Sequence, residues 1–248
     1  MDGGWFEHMP WLRLGLYLFL STFVLGNLAT YLRNRNGWPD GYSRKLNHFG
    51  HMVISTPLLA FLPPQQLIPA VILGAISVVI IYAVAAVSSK PLVHGIISGS
   101  LRRRDAPRSR FFFFFPLASG NIALVVAAIC FPLEMVRVAF FTAAFADGFA
   151  EPVGLRFGRS NQYRVKDWAW GGYTTKSVAG SSAVFGWSWV IAFVAVTWSR
   201  PLDASSLLSS TLYACGVTAI EGLSPRGMDN MALLLLCPLL MLWLSWLQ

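Results

Sequence analysis

Eight apolar stretches, at roughly 11–32, 47–63, 66–87, 111–130, 134–157, 180–198, 206–222 and 231–247, occupy most of the 248 residues. A helix needs about 17 to 25 apolar residues to cross the hydrocarbon core of a bilayer, where every backbone N–H and C=O must be satisfied inside the segment. Composition agrees. Apolar residues make up 55% and charged residues 12%, with a mean hydropathy of +0.56, whereas a soluble domain carries about 25% charged residues. The sequence therefore predicts an all-α polytopic membrane protein of about eight transmembrane helices, a single integral membrane domain over residues 1–248. The first stretch is too long for a cleaved signal, and Asp2 and Glu7 before it do not make a basic leader, so it is expected to stay as the first helix.

Charge placement tests this count independently of hydropathy. Sixteen of the nineteen Lys and Arg residues fall in the connections 33–46, 88–110, 156–178 and 223–230, while the alternate connections hold only Arg200. Positive charge stays on the cytoplasmic side, so both termini are expected outside. The net charge of +8 and pI near 9.8 would also suit a nucleic-acid-binding protein, but topology accounts for them and no nucleic-acid partner is expected. The cluster Arg102, Arg103, Arg104, Arg108 and Arg110 precedes a span, where it would meet anionic lipid headgroups. Cys130, Cys215 and Cys237 lie in apolar stretches without metal-ligand spacing. The run Phe111–Phe115 reads as an interfacial anchor.

Chemistry enters with the run FADGFAEPVGLRFG at 145–158, which sets Asp147 and Glu151 in an apolar segment. A carboxylate near mid-bilayer costs about 2.5 to 3.5 kcal/mol on insertion scales and marks a functional candidate. Pro152 offers no N–H to the Gly148 carbonyl, which should loosen the helix beside Asp147. Ala150, Gly154 and Gly158 recur every fourth residue, the pattern that lets helices pack closely. Asp147 and Glu151 are also four apart, and two carboxylates next to a basic loop suit magnesium bound to a nucleotide, since magnesium takes one or two carboxylates plus phosphates.

Three further motifs fall on the same predicted side. Arg44, Lys45 and His48 in SRKLNHFGH would cluster at the start of the second helix and suit phosphate oxygens, or serve simply as a positive anchor; His51, His8 and His94 read as structural. The run GGYTTKSVAGSSAVFG at 171–186 reads as a glycine- and hydroxyl-rich loop leading into a helix. Lys176, Ser177, Gly180 and Ser181 there would form an anion site at a positive helix end, though the spacing is not that of a Walker loop. In AIEGLSPRGMDN at 219–230, Glu221 ends one apolar stretch and Asp229 with Asn230 begins the next, with Pro225 and Gly227 between; alone this is a capped helical hairpin.

As a set, R-K-x-x-H (Arg44, Lys45, His48), D-x-x-A-x-x-x-G-x-x-x-G (Asp147, Ala150, Gly154, Gly158), K-S-x-x-G-S (Lys176, Ser177, Gly180, Ser181) and E-x-x-S-P-x-G-x-D-N (Glu221, Ser224, Pro225, Gly227, Asp229, Asn230) resembles the CTP-dependent polyprenol kinases. These include phytol, farnesol and dolichol kinases and a CTP-using diacylglycerol kinase, and are related to phosphatidate cytidylyltransferases. The resemblance runs from about residue 43 to 231; Ala179 stands where some relatives carry an acidic residue. It implies transfer of the CTP gamma-phosphate, with Mg2+, to the primary hydroxyl of a membrane lipid alcohol at the cytoplasmic face. In that reading Asp147 is metal ligand or base and Lys176 catalytic. Arg44 and Lys45 clamp phosphates, with His48, Gly154, Gly158, Ser177, Gly180, Ser181 and Asn230 around the nucleotide. Glu151, Glu221 and Asp229 join Asp147 as metal contacts. The length resembles the compact phytol and farnesol kinases.

Two other functions compete. A cytidylyltransferase would use CTP and magnesium too, but needs a second basic cluster and a carboxy-terminal signature that are not seen. A transporter would suit an intramembrane Asp147 on a proline-broken helix, but no internal repeat is evident and the polar residues gather on one side.

Overall fold

Lipid offers no partner to a bare peptide group, and each of the eight apolar stretches is accordingly helical over its described residues in the computed structural model, which describes residues 11–61, 64–199 and 202–245. The helices are α1 (Trp11–Arg35), α2 (Asp40–Phe61), α3 (Pro64–Val87), α4 (Pro91–Ser98), α5 (Phe111–Cys130), α6 (Leu133–Thr142), α7 (Gly148–Phe157), α8 (Val178–Ser199), α9 (Ala204–Leu223) and α10 (Asp229–Ser245). Five segments are long and apolar enough to cross a membrane: Arg13–Arg35, Gln66–Val87, Phe111–Cys130, Leu133–Phe157 and Val178–Trp198. The protein is thus a mostly helical membrane protein. The chain ends and the residues at 62–63 and 200–201 lie outside the described residues, so the expected placement of both termini falls there.

The mostly helical fold agrees with the all-α expectation, and two local details differ from it. An antiparallel pair, β1 (Gln162–Lys166) and β2 (Tyr173–Ser177), stands where a loop was expected, and a short helix, α4, stands in the basic connection 88–110. The chain divides into two compact units, Met1–Asn121 and Ile122–Gln248.

In the first unit α4 starts at Pro91, whose fixed φ suits a first helical turn, and buries Gly95, Ile96 and Ile97. It lies against α1 so closely that a Cβ on Gly26 would collide with the Ile96 backbone. Thr30 Oγ1 donates to the Gly95 carbonyl at 2.6 Å, and Arg33 Nη1 donates to the carbonyls of Ser98 at 2.6 Å and Leu101 at 2.8 Å. Arg33 also pairs with Asp40 at 3.0 Å. A residue counted from sequence only as an inside charge thus ties α1, α2 and the end of α4 together.

Polar side chains of α2 form a buried network facing α3. Asn47 Nδ2 donates to Tyr82 Oη and to Ser100 Oγ, each at 2.7 Å, and His51 Nε2 lies 2.8 Å from Tyr82 Oη. His51 is therefore structural, as expected. Tyr82→Phe removes one hydroxyl serving two partners and leaves a buried imidazole nitrogen unsatisfied, at a cost of about 1–3 kcal/mol. Its midpoint of thermal unfolding in detergent should fall measurably below that of the parent protein.

In the second unit α8 packs along α7 and α9, and α10 along α6 and α9. The buried centre includes Val136, Phe140, Ala143, Val184, Val217 and Leu233, with Thr142 Oγ1 2.9 Å from Tyr213 Oη. At the start of α9, Asp203 accepts from the Ser206 N–H at 2.8 Å as an N-cap.

Candidate functional site

Residues four apart share a helix face, so Ala150, Gly154 and Gly158 form a shallow strip along α7. The strip lies on the start of α8: a Cβ on Gly154 would come within 2.8 Å of Ser177 Oγ, and one on Gly180 within 2.9 Å of the Ala150 carbonyl oxygen. The close approach expected from the small residues is present, and it joins the second motif to the third. Gly180→Ala pushes a methyl onto backbone, which cannot swing aside, and should cost about 1–3 kcal/mol. Gly186, also in α8, has open space around its Cα, so Gly186→Ala should leave the unfolding midpoint of the purified protein unchanged while Gly180→Ala lowers it.

The third motif folds differently from its expected loop. Strand alternation and the register Tyr163↔Lys176 put these two side chains on the inner face. Tyr163 Oη lies 2.6 Å from Ser181 Oγ, and Lys176 Nζ donates to Glu221 Oε1 at 2.6 Å and to the Glu221 carbonyl. The two charged side chains are only 17% and 10% exposed. Ser177 Oγ accepts the Gly180 N–H at 3.1 Å, capping α8, so the serine serves the helix and the lysine reaches the fourth motif. Asp167 begins the turn, and Gly171 and Gly172, both at φ 77°, complete it in a conformation that suits glycine. From this tip Trp168 Nε1 donates to the Leu223 carbonyl at 3.2 Å and Trp170 Nε1 to the Arg226 carbonyl at 2.9 Å. The hairpin thereby holds the end of α9 at Glu221 and Leu223 and the α9–α10 connection at Arg226.

Asp147 closes a π-helical turn, Ala143–Asp147, between α6 and α7. The widened turn sits directly before the helix that contains Pro152, and turns of this kind often accompany functional sites. Asp147 is 3% exposed, and Glu151 is half-buried one turn along. Glu221 is buried near the end of α9, and Asp229 opens α10, its Oδ1 accepting the Asn230 N–H at 3.0 Å. Both Asp147 and Asp229 act electrostatically on the Glu221 carboxylate. Acidic groups from three helices and the ammonium of Lys176 thus share one electrostatic neighbourhood.

Among the described residues no three His, Cys, Asp or Glu side chains stand close enough to cage a metal ion. Magnesium asks for less than such a cage, one or two carboxylates with phosphates and water. Asn230 Oδ1 is buried and accepts no hydrogen bond from the described residues, an unmet acceptor of the kind a polar ligand satisfies.

Arg44, Lys45 and His48 lie in the first unit on α2, with Lys45 3% exposed and the other two half-buried; the remaining candidates belong to the second unit. Sequence reasoning missed Tyr163, Trp168 and Trp170. A signal for them existed: the alternating run QYRVK, a Gly-Gly turn and the β-branched YTTKS are hairpin features. No family model, curated protein or solved structure matches this chain.

Proposed function

We propose that the protein is a CTP-dependent lipid-alcohol kinase that transfers the gamma-phosphate of CTP to the primary hydroxyl of an isoprenoid alcohol or of diacylglycerol. The observation that carries the reading is the buried Lys176–Glu221 pair, set in the field of Asp147 and Asp229 and built from three of the four motifs that prompted it. Phosphoryl transfer asks mainly for positioning and for charge around the transferring oxygens.

In this mechanism the lipid hydroxyl oxygen attacks the gamma-phosphorus, the bond to the bridging oxygen breaks, and CDP leaves. The buried carboxylate of Asp147 either takes the hydroxyl proton as base or would hold the cation, in which case the proton passes to an oxygen of the transferred phosphoryl group; its charge is required in either role. Lys176 stabilises charge on the phosphate oxygens once it exchanges its Glu221 contacts for them. One or two of the carboxylates Asp147, Glu151, Glu221 and Asp229 would hold Mg2+, which when bound would neutralise phosphate charge. Asn230 supplies a buried acceptor for the nucleotide. Ser177, Gly154, Gly158 and Gly180 act through packing that fixes the strand carrying Lys176, and Arg44, Lys45 and His48 are assigned to phosphate binding from the sequence alone. The arrangement of basic connections supports eight spans, both termini outside and a site at the cytoplasmic face.

CTP labelled at the alpha- or the gamma-phosphate separates this reading from a cytidylyltransferase. With a lipid alcohol as acceptor, only the gamma label should enter the lipid fraction. Alpha label in the lipid would show nucleotidyl transfer instead.

A further inference from the structure

The β1–β2 hairpin has an outer face that the proposed reaction does not use. Strand alternation turns Arg164, Lys166, Tyr173 and Thr175 outward, cross-strand pairs being Arg164 with Thr175 and Lys166 with Tyr173. The Arg164 guanidinium lies 4.8 Å from the centre of the Tyr173 ring, which gives the charge a fixed seat. Arg156 and Arg159, just before β1, are exposed as well. Between Pro152 and Leu202 the only acidic residue is Asp167, and it is 1% exposed. The outer surface of this segment therefore carries charge of one sign.

Its tip has a second character. Trp168 is 66% exposed and Trp170 40%, although both indole N–H groups are bonded to backbone carbonyls. The rings thus present carbon to their surroundings, and Leu223, whose carbonyl Trp168 contacts, is itself 66% exposed at the end of α9. Aromatic rings beside a helix end, flanked by Arg and Lys, are suited to the level of lipid headgroups. An acidic protein segment would match the charge but has no use for apolar rings at a helix end.

We propose that the outer face and tip of this hairpin form a docking surface for anionic phospholipid headgroups, with Arg164 and Lys166 on the phosphates and Trp168 at the boundary with the acyl chains. The strand that carries Lys176 is then steadied from both faces, by Glu221 within and by lipid without. This surface is independent of the proposed kinase reading, because it requires only that the chain sits in a membrane.

The test places a fluorophore at Thr175→Cys on the outer face, in protein whose exposed Cys130 and Cys215 are replaced by Ala. The protein is reconstituted in nanodiscs of phosphatidylcholine alone or mixed with phosphatidylglycerol, each containing a trace of headgroup-nitroxide lipid. Quenching by the nitroxide should rise about twofold when phosphatidylglycerol is present and should fall back at high salt. The exposed pair Arg164→Gln and Lys166→Gln should remove the rise while the protein elutes from size exclusion as before. Equal quenching in both lipids, or a rise that survives the double substitution, overturns the proposal. So does a fluorophore shielded from iodide without nitroxide quenching, which would point to a protein partner or a second copy.

Discussion

Asp147→Asn is expected to reduce lipid phosphorylation by about 10³-fold or more while leaving the amount of folded protein unchanged, as for loss of one preorganised group aimed at a reacting centre. The carboxylate is 3% exposed and ends the π-helical turn, and an amide of the same size fills the same space. Removing a charge at membrane depth eases insertion by up to about 3 kcal/mol, and the yield of monodisperse protein separates a folding defect from a catalytic one. Transfer from labelled CTP, normalised to monodisperse protein from size exclusion, is the measurement. Near-normal turnover would make the FADG turn a packing element and send the search for the site elsewhere.

Lys176→Gln is expected to do two kinds of damage, and a second substitution separates them. Loss of the ammonium leaves the Glu221 carboxylate buried without its partner, a change that costs about 3–5 kcal/mol. It also removes positive charge from the transferring phosphate, worth about 10²–10³ in rate. Adding Glu221→Gln removes the stranded charge, so the double variant should regain most of the lost stability. It should remain inactive, since neither the phosphate contact nor the carboxylate is restored. Thermal unfolding and transfer rate measured on the parent, both single variants and the double variant form a complete cycle. Recovery of turnover along with stability would show that the pair only holds the hairpin to α9.

Some of this was legible in the residues and some was not. Ala150, Gly154 and Gly158 announced a close helix contact, because small side chains at every fourth position state both the face and the distance. The partner could not be read, since nothing in the strip says that the start of α8 lies on it. The apolar stretches predicted helices well, yet α4 was absorbed into a basic connection because eight residues without charge look short beside Arg102, Arg103 and Arg104. The hairpin was missed through its surroundings: QYRVK and YTTKS alternate as strands do, but between two long apolar segments the Gly-Gly pair read as loop. Ser177 caps α8 through the Gly180 N–H, a use of a serine before a helix that the sequence also allows. The π turn at Ala143–Asp147 leaves no compositional mark, and it precedes the helix that contains Pro152 rather than lying at the Gly148 carbonyl that the proline leaves without an N–H. The Asn47–Tyr82–His51 network needed the knowledge that α2 and α3 face one another.

The central claim is that this membrane protein moves a phosphoryl group from CTP to a lipid alcohol. Purified protein in mixed micelles, given magnesium and gamma-labelled CTP or ATP with a panel of phytol, farnesol, longer polyprenols and diacylglycerol, tests it most directly. The account predicts a labelled lipid monophosphate from CTP, abolished by chelation of magnesium and by Asp147→Asn. Robust labelling from ATP with none from CTP, or no transfer to any of the alcohols, would contradict it.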